Sequence, residues 1–392
     1  MEFWHNSTTG DGKAFWDATA ADYMATNPNV TIEVQAVQNE ELDGKLQTAM
    51  NSGDAPEIFF SRGGGKLNDM IEAGQVKDIT DLVSDETKAA VGEGALSSLT
   101  VDGKLYGVPT SVLPGGIYYS EELFAQAGIT ETPKTMDELN AAVDKLKAAG
   151  IQPIALGAKD AWPAAHWYYF FALRECSQEV FTTSSAEGDF SDPCWTKAAE
   201  DLKTFADTEP FNDGFLTTSA QQGAGSSAGL VANHKAAMEL MGAWNVGVIA
   251  DLTPDKQPLA DLRWFSFPSV DGGEGGEGAL MGGLDGFSCS VEAPDECADF
   301  LNFALQKEYQ EKYADAFETI PANQEAQSVV TQTALQDILK ANNEAPYIAV
   351  WLDTLLGQNV GNALNVGVVD MLAGKTGPEG ILQAVESAAA KG

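Results

Sequence analysis

The first 60 residues alternate between short apolar runs and longer amphipathic segments, and this alternation is the strongest constraint on the fold. Residues 2–5 are predicted as a strand, and residues 12–26 follow as a helix with its large side chains on one face. Residues 30–34 alternate as a second strand, 42–50 have helical periodicity, and 58–60 are a short buried strand. Strands that alternate with helices pair in parallel, with helices on both faces of the sheet. The sequence therefore predicts an α/β fold.

Polar side chains follow two of these predicted strands. Asn6 and Asp11 lie after the end of the first strand, and Ser61 and Arg62 follow the third. Ligands of open α/β sheets bind at the carboxyl ends of the strands. We therefore expect these four residues to lie near a ligand.

The segment HKAAMELMGAWN at residues 234–245 ends in small residues beside Trp244. It is predicted as a helix that leads into a short apolar run. Small neighbours leave one face of the indole free, and aromatic faces suit the C–H faces of sugars. The alternative is core packing, because large aromatic side chains are mostly buried. Other tryptophans at or near predicted loops are Trp4, Trp162, Trp167 and Trp351.

Further local signals lie between these regions. Asp102-Gly103 predicts the turn of a hairpin, Ser120 is predicted to cap a helix, and Thr135 with Glu138 forms a capping box. Residues 228–240 are predicted as helix, and 272–283 as a flexible glycine-rich loop.

The charge balance excludes some partners. With 58 acidic and 22 basic residues, the formal net charge is -36, which repels nucleic acid and anionic membrane surfaces. No apolar run reaches the roughly 18 residues that a membrane span requires. The chain enters an apolar segment directly after Met1, so an export leader could have been removed.

The four cysteines lie in two close pairs, Cys176 with Cys194 and Cys289 with Cys297. They form no C-x-x-C motif, which argues against a zinc site. Two local disulfides are predicted, in an exported protein, although four buried thiols are the alternative.

The short motifs of enzymes fail on context. The GxGxxG spacing at 273–278 opens no helix and carries Glu274 and Glu277, which would repel a pyrophosphate. The glycine spacing around Ser227 has no preceding strand and no later histidine apart from His234. These motifs therefore predict no catalytic residue, no cofactor and no metal ligand, but acidic residues lie throughout the chain and leave a carboxylate pair for glycoside hydrolysis open.

Six segments in order form a specific pattern: FWHN at 3–6, KLQTAMNSGDAPEIFF at 45–60, a block from DGKLYGVPTSV to KLKAAG at 102–150, KAAMELMGAW at 235–244, GLDGFSCS at 283–290 and TIPAN at 319–323. Together they resemble the extracellular solute-binding proteins of bacterial ABC transporters, in the oligosaccharide-binding family that includes maltose-binding protein. Glu57 stands where that family usually has Asp.

The resemblance implies a two-lobed fold of the periplasmic-binding-protein type II, in which crossing strands hinge the lobes around a central cleft that closes on ligand. The implied N-lobe is 1–110 plus 267–319, and the implied C-lobe is 111–266 plus 320–392. It also implies a monomer with an ABC permease as its partner, lipid-anchored at the extracellular face or periplasmic. The disulfides and the anchor fit a Gram-positive source.

The resemblance further implies which residues bind the ligand, with Trp244 as the stacking aromatic. The complete set is His5, Asn6, Asp11, Ser61, Arg62, Asp160, Trp162, Trp244, Leu284, Asp285 and Trp351. Tryptophans rather than charged residues favour a neutral xylo-, malto- or galacto-oligosaccharide. The alternative function is an exported carbohydrate hydrolase, which a reducing-sugar assay separates from a binding protein.

Overall fold

The computed structural model describes residues 1–8, 10–283 and 285–391, and the chain divides into two compact units. The first unit is Met1–Leu113 with Gly283–Thr331, and the second is Pro114–Gly282 with Gln332–Gly392. Each unit is therefore built from two separate stretches of the chain.

The strands and helices alternate along most of the chain. The strands are β1 (Glu2–His5), β2 (Glu33–Ala36), β3 (Ile58–Ser61), β4 (Thr100–Val101), β5 (Lys104–Leu105), β6 (Gly107–Pro109), β7 (Leu113–Ser120), β8 (Gln152–Ala155), β9 (Ala236–Gly242), β10 (Leu262–Phe265), β11 (Leu280–Gly283), β12 (Gly286–Cys289) and β13 (Ile348–Val350). The helices are α1 (Gly10–Thr26), α2 (Asn39–Ser52), α3 (Gly64–Glu72), α4 (Asp85–Val91), α5 (Glu93–Leu96), α6 (Glu121–Gln126), α7 (Met136–Ala148), α8 (Trp162–Glu175), α9 (Pro193–Ala206), α10 (Ser227–Ala232), α11 (Asn245–Leu252), α12 (Glu296–Ala304), α13 (Lys307–Phe317), α14 (Thr333–Glu344), α15 (Leu352–Leu355), α16 (Gly357–Leu372) and α17 (Glu379–Ala389).

The first unit contains a five-stranded sheet with the order β2-β1-β3-β12-β6. Strand β1 pairs in parallel with β2 and β3, as the alternation of the first 60 residues predicts. Strand β2 begins at Glu33, later than the predicted residue 30. The core beneath α1 is aromatic, because Phe3, Trp16 and Phe287 meet edge to face with centroids 4.9–5.2 Å apart.

The second unit contains a sheet with the order β13-β11-β7-β9-β8, and β10 pairs with β7. Strand β7 is buried at all eight residues, so helices or other strands cover both its faces. Helix α8 supplies much of this core through the aromatic run at residues 166–171, which is buried throughout.

The predicted helix at 228–240 is wrong over most of its length. Helix α10 ends at Ala232, and Ala236–Gly242 is strand β9, between the antiparallel β7 and the parallel β8. Every residue of β9 is buried, so both faces of the strand are covered and the sequence has no polar–apolar alternation. A short apolar run of this kind has no period that separates strand from helix.

The unit boundaries differ from the predicted lobe boundaries at 267 and 320. Residues 267–282 belong to the second unit, where Phe267 stacks on Phe170 at 5.1 Å and the buried Arg174 donates to the Phe267 and Ala279 carbonyls. Residues 320–331 belong to the first unit, where Asn323 donates to the Leu305 carbonyl. Packing by distant helices, which local patterns do not contain, sets both boundaries.

The predicted glycine-rich loop at 272–283 is wrong at its end, where Leu280–Gly283 is strand β11, but the hairpin and the helix caps agree with the structure. Strands β4 and β5 form the hairpin around Asp102-Gly103, and both turn residues have positive φ. Ser120 caps α6, and the Thr135 hydroxyl accepts from the Glu138 amide at 3.2 Å. The Glu138 carboxylate accepts from the amide of Lys134 rather than from that of Thr135.

Both predicted disulfides are confirmed. Cys176 at the end of α8 bonds to Cys194 in α9, and Cys289 in β12 bonds to Cys297 in α12. Each therefore ties two neighbouring elements within one unit. In the described residues, no helix combines the length and the apolar character that crossing a bilayer requires.

Candidate functional site

Two glycines on neighbouring strands of the second unit form a flat support for indole rings. Gly115 in β7 lies opposite Gly242 in β9. A Cβ on Gly242 would lie 2.0 Å from Trp244 Cζ3, and a Cβ on Gly115 would lie 2.4 Å from Trp351 Cη2. Neither ring could lie where it does over any larger residue. The two glycines therefore set the height of both rings above the sheet.

Four rings lie together over this support, and we call Trp162, His166, Trp244 and Trp351 the aromatic cluster. Trp351 stacks on His166 with centroids 4.2 Å apart and planes 13° apart. Trp244 lies 6.0–6.3 Å from each of the other three rings, at angles of 59–66°. Because Trp244 meets its neighbours at steep angles, none of these three rings stacks on its face.

Exposure separates Trp244 and Trp162 from the other tryptophans. Of the eight in the chain, these two are partly exposed and the remaining six are buried. Trp4 and Trp167, which were candidates for a sugar surface, lie in the core, Trp167 with no exposure at all. Trp351 is 7% exposed, and His166 occupies one of its faces.

Unpaired polar atoms lie within the aromatic cluster. Trp162 Nε1 and His166 Nδ1 are buried and have no hydrogen-bond partner among the described residues. Burial lowers the pKa of His166 to about 4, against the opposing charge of Asp353, so the imidazole is neutral at pH 7. A buried polar atom without a partner is costly, and a ligand hydroxyl is one group that could satisfy it.

Asp160 lies in the loop that leads into α8. Its Oδ2 accepts from the Ala220 amide at 2.7 Å, so at least one carboxylate oxygen is used within the protein. The following residue, Ala161, has a φ of 62°, which turns the chain sharply before Trp162. Asp160 therefore helps to position the loop that carries Trp162.

The first unit carries a different group of side chains at the carboxyl ends of β1 and β3. We call Asn6, Asn39, Asp43, Arg62, Lys66 and Asp285 the polar cluster. Arg62 donates to Asp43 Oδ1 at 3.2 Å and to Asn39 Oδ1 at 2.7 Å. Lys66 donates to the other Asp43 oxygen at 2.8 Å, and Asn6 donates to Asn39 at 3.3 Å.

Asp43 is the electrostatic centre of the polar cluster. Burial alone would raise the pKa of its carboxyl, but the charges and hydrogen bonds of Arg62 and Lys66 lower it to about 2. The carboxylate is therefore ionised at every pH at which such a protein works. The guanidinium of Arg62 also lies over the Phe60 ring, 4.9 Å from its centroid.

Asp285 joins the polar cluster from a distant part of the chain. Its Oδ2 lies 3.9 Å from Arg62 Nη1, and its backbone carbonyl accepts from the Thr110 amide at 3.0 Å. The predicted neighbour Leu284 lies outside the described residues.

Three other predicted residues of the first unit lie apart from these hydrogen bonds. His5 is fully buried, its ring lies 5.4 Å from that of Phe3, and burial lowers its pKa to about 4. Ser61 is also buried, and its hydroxyl has no partner among the described residues. Asp11 is exposed in the first turn of α1, which begins at Gly10, before the predicted helix start at residue 12.

Sequence reasoning missed Asn39, Asp43, Lys66 and His166. The first three lie on helices α2 and α3, whereas the strand-end rule selects only residues in the loops after strands. The i, i+4 spacing of Asn39 and Asp43 places both on one helix face, and this was a usable signal. His166 had no such signal, because it lies within a continuous aromatic run.

One group in the second unit has the composition of a metal site. Ligand atoms of Glu122, His234 and Asp261 lie within 4.8 Å of one another. The His234 Nε2 lies 3.0 and 3.1 Å from the two Asp261 oxygens, and the Glu122 amide donates to the same carboxylate. These hydrogen bonds already account for the arrangement, because they join the segments that lead into β9 and β10 to the first turn of α6.

Known proteins share both the sequence pattern and the fold. The family model for bacterial extracellular solute-binding proteins matches residues 6–311. The diacetylchitobiose-binding protein DasA of Streptomyces coelicolor is 27% identical over 84% of this chain and 73% of its own length.

Two solved structures extend the likeness to almost the whole chain. A chitin oligosaccharide binding protein has a TM-score of 0.86 and 25% identity, over 100% of this chain and 98% of its own. A protein from a study of xylan utilization by the thermophilic bacterium Caldanaerobius polysaccharolyticus has a TM-score of 0.89 and 24% identity, over 99% of each chain. They confirm the predicted α/β fold class. The chain belongs to the bacterial extracellular solute-binding proteins of ABC transporters, in their oligosaccharide-binding family.

Proposed function

We propose that the protein captures a neutral oligosaccharide and that Trp244 of the aromatic cluster stacks on a sugar ring. The observation that carries the proposal is the partly exposed Trp244, held over Gly242 with no neighbouring ring of the cluster stacked on its face. Stacking removes apolar surface of the sugar from water and leaves the equatorial hydroxyls free to hydrogen-bond. Trp162 Nε1 and His166 Nδ1 are the groups that we expect to meet those hydroxyls.

The polar cluster is the second surface that we propose for sugar contact. It contains two carboxylates, Asp43 and Asp285, and two cations, Arg62 and Lys66, so its formal charges balance. Paired charges make poor receptors for a further ion, whereas carboxylate oxygens and N–H groups suit the hydroxyls of a neutral sugar. This balance supports a neutral sugar over a sugar acid. We assign the same role to Asp11, Ser61 and Asp160, which lie outside the polar cluster.

Several neutral sugars fit this chemistry. Xylo-, malto- and galacto-oligosaccharides remain candidates, and the names of two similar proteins add chitin oligosaccharides. All present alternating polar edges and apolar ring faces. We further propose that a monomeric, lipid-anchored form delivers the sugar to an ABC permease at the outer face of the membrane. The family membership supports delivery to a permease.

A thermal-shift screen of the four oligosaccharide classes identifies the ligand, because a molecule that binds only the native state raises the melting midpoint. Calorimetric titration of wild type and Trp244→Ala then tests the stacking. We expect a loss of about 1–3 kcal/mol, or roughly ten- to a hundred-fold in affinity. Trp244→Phe is the matched control and should retain part of the affinity.

Two results would contradict the proposal. Normal affinity in Trp244→Ala would remove Trp244 from the site. New reducing ends released from any oligosaccharide of the screen would instead support the hydrolase alternative.

A further inference from the structure

A carboxylic side chain is buried in the centre of the second unit, next to the support of the aromatic cluster. Glu239 lies in β9, opposite Tyr118 of β7 and Ala155 of β8, and is 1% exposed. It lies on the same strand as Gly242. Charged groups are almost never fully buried without a compensating charge, so this position requires an explanation.

Glu239 is hydrogen-bonded to Asn245, the residue that directly follows Trp244. Asn245, the first residue of α11, is fully buried, and its Nδ2 donates to Glu239 Oε2 at 2.8 Å. The other oxygens of both side chains, Glu239 Oε1 and Asn245 Oδ1, are buried without a hydrogen-bond partner among the described residues. The pair therefore has two unmatched acceptors and lacks a donor.

A single proton supplies that donor. An ionised carboxylate only accepts hydrogen bonds, whereas a protonated carboxyl also donates one. With the proton on Oε1, Glu239 can donate to the amide oxygen while its Oε2 accepts from the amide nitrogen. Without the proton, a negative charge and two oxygens that lack hydrogen-bond donors remain buried together. The free-energy cost of this burial favours a movement of the two side chains.

The surroundings of Glu239 favour the neutral form. Burial raises its pKa to about 7, although the nearby Ser227 hydroxyl and the Asn245 amide lower it. The Ser227 hydroxyl itself donates to the Ala220 carbonyl at 3.0 Å and so leaves Oε1 without a donor. From β7, the titratable Tyr118 faces the carboxyl, and its hydroxyl donates to the Gly242 carbonyl at 3.0 Å. No cation contributes to the raised pKa of Glu239, so burial without a neutralising charge favours the protonated carboxyl.

We propose that Glu239 is a positioning residue whose neutral carboxyl holds Asn245, and with it Trp244, in the geometry that binds the sugar. This rests on the proposed role of Trp244. Loss of the proton disrupts the pair at the first turn of α11 and moves the indole from its place over Gly242. Sugar affinity is then a function of pH near neutrality, even for an uncharged ligand.

The direction of the pH effect follows from the raised pKa. The folded protein holds the proton more tightly than the unfolded chain, whose glutamates titrate near 4.5. The stability contributed by neutral Glu239 is therefore complete below pH 4.5 and is lost as the pH rises through about 7. Sugar affinity should be highest below pH 7 and should fall above it.

Glu239→Gln is the decisive variant, because glutamine has the same shape and keeps a donor at every pH. Wild type should lose up to roughly thirty-fold in affinity between pH 6 and pH 8.5, because the neutral fraction of a carboxyl falls about ten-fold per pH unit above its pKa, here about 7. Glu239→Gln should bind as wild type does at pH 6 and show no such loss. Glu175→Gln is the matched control, because burial also raises the pKa of Glu175 to about 7 but its partner is Lys197. It should keep the wild-type pH profile.

A ligand-free melt separates this proposal from the sugar site. As the pH rises from 5 to 8, the melting midpoint of wild type should decrease relative to that of Glu239→Gln. This result does not depend on whether any sugar binds. A difference in melting midpoint between the two proteins that does not vary with pH would contradict a neutral carboxyl at Glu239. A pH-dependent difference without any sugar binding would sink the proposed function alone. If sugar affinity depends on pH in the same way in Glu239→Gln as in wild type, Glu239 does not position Trp244.

The wild-type protein offers an independent measurement if Glu239→Gln fails to fold. The infrared absorption of a protonated carboxyl should be present at pH 6 and absent at pH 8.5. Constant absorption over this range would contradict a titrating Glu239, after the contribution of Glu175 has been subtracted with Glu175→Gln.

Discussion

The polar cluster of the first unit and the aromatic cluster of the second are held in place by different forces. In the polar cluster, side chains hold each other, because Asp43 pairs with both Arg62 and Lys66. In the aromatic cluster, the backbone supports the rings, because Gly115 and Gly242 leave the space that Trp351 and Trp244 fill.

This difference determines what disturbs each surface. Charge pairs depend on ionisation, so the polar cluster should respond to pH and to the loss of one partner. Packed rings depend on shape, so the aromatic cluster should respond to changes in volume. Four predictions test this comparison, in order of decreasing effect.

The largest effect should come from Trp351→Ala. Trp351 is 7% exposed and stacks on His166, so its loss should destabilise the protein by about 3–5 kcal/mol, as core truncations do. Chemical denaturation measures the change. Trp244→Ala is the comparison and should cost clearly less, because Trp244 is partly exposed. Equal losses would mean that both rings are core, and the aromatic cluster would offer no surface.

Gly242→Ala should disturb the aromatic cluster without removing a ring. Its Cβ would lie 2.0 Å from the Trp244 ring, and overpacking of this kind costs about 1–3 kcal/mol. Affinity for the sugar should fall with stability, because the indole must move. Gly44→Ala in α2 is the control, since its Cβ would meet no atom within 4 Å. If both variants bind sugar normally, the glycine does not position Trp244.

Asp43→Asn should test the polar cluster by pH. The carboxyl pKa falls from 3.8 to about 2, which corresponds to about 2 kcal/mol of stability. This contribution is present above pH 3.8 and is lost as the pH falls through about 2. The stability gap between wild type and Asp43→Asn should therefore narrow below pH 4. Urea titrations at pH 7, 4 and 3 measure it. A gap that stays constant would show that the ion pairs do not stabilise the fold.

The smallest effect should come from Arg62→Lys. Lysine keeps the charge but loses the planar fork that hydrogen-bonds to both Asp43 and Asn39. We expect the free energy of sugar binding to weaken by about 1 kcal/mol. Sugar affinity should fall by roughly five-fold while the melt changes little. Lys66→Arg keeps a cation beside Asp43 and serves as the control. An unchanged affinity in Arg62→Lys would exclude Arg62 from sugar contact.

The sequence alone determined the parts of the fold that depend on neighbours along the chain. The parallel pairing of β1 with β2 and β3 follows from alternating periods, and the turn at Asp102-Gly103 follows from residue types that accept positive φ. Close pairs of cysteines also sufficed for both disulfides. The six ordered segments were sufficient to identify the family.

Only the tertiary structure decided which side chains meet. Strand β9 resembles a helix in the sequence because neighbours on both sides and both faces cover it. Trp162 and Trp167 lie on one helix, five positions apart, yet one is partly exposed and the other is in the core. Asp43 and Asp285 join Arg62 from distant parts of the chain. Burial and long-range pairing depend on contacts between segments that are distant in the sequence. Local sequence patterns do not contain this information, and such contacts form both the polar cluster and the aromatic cluster.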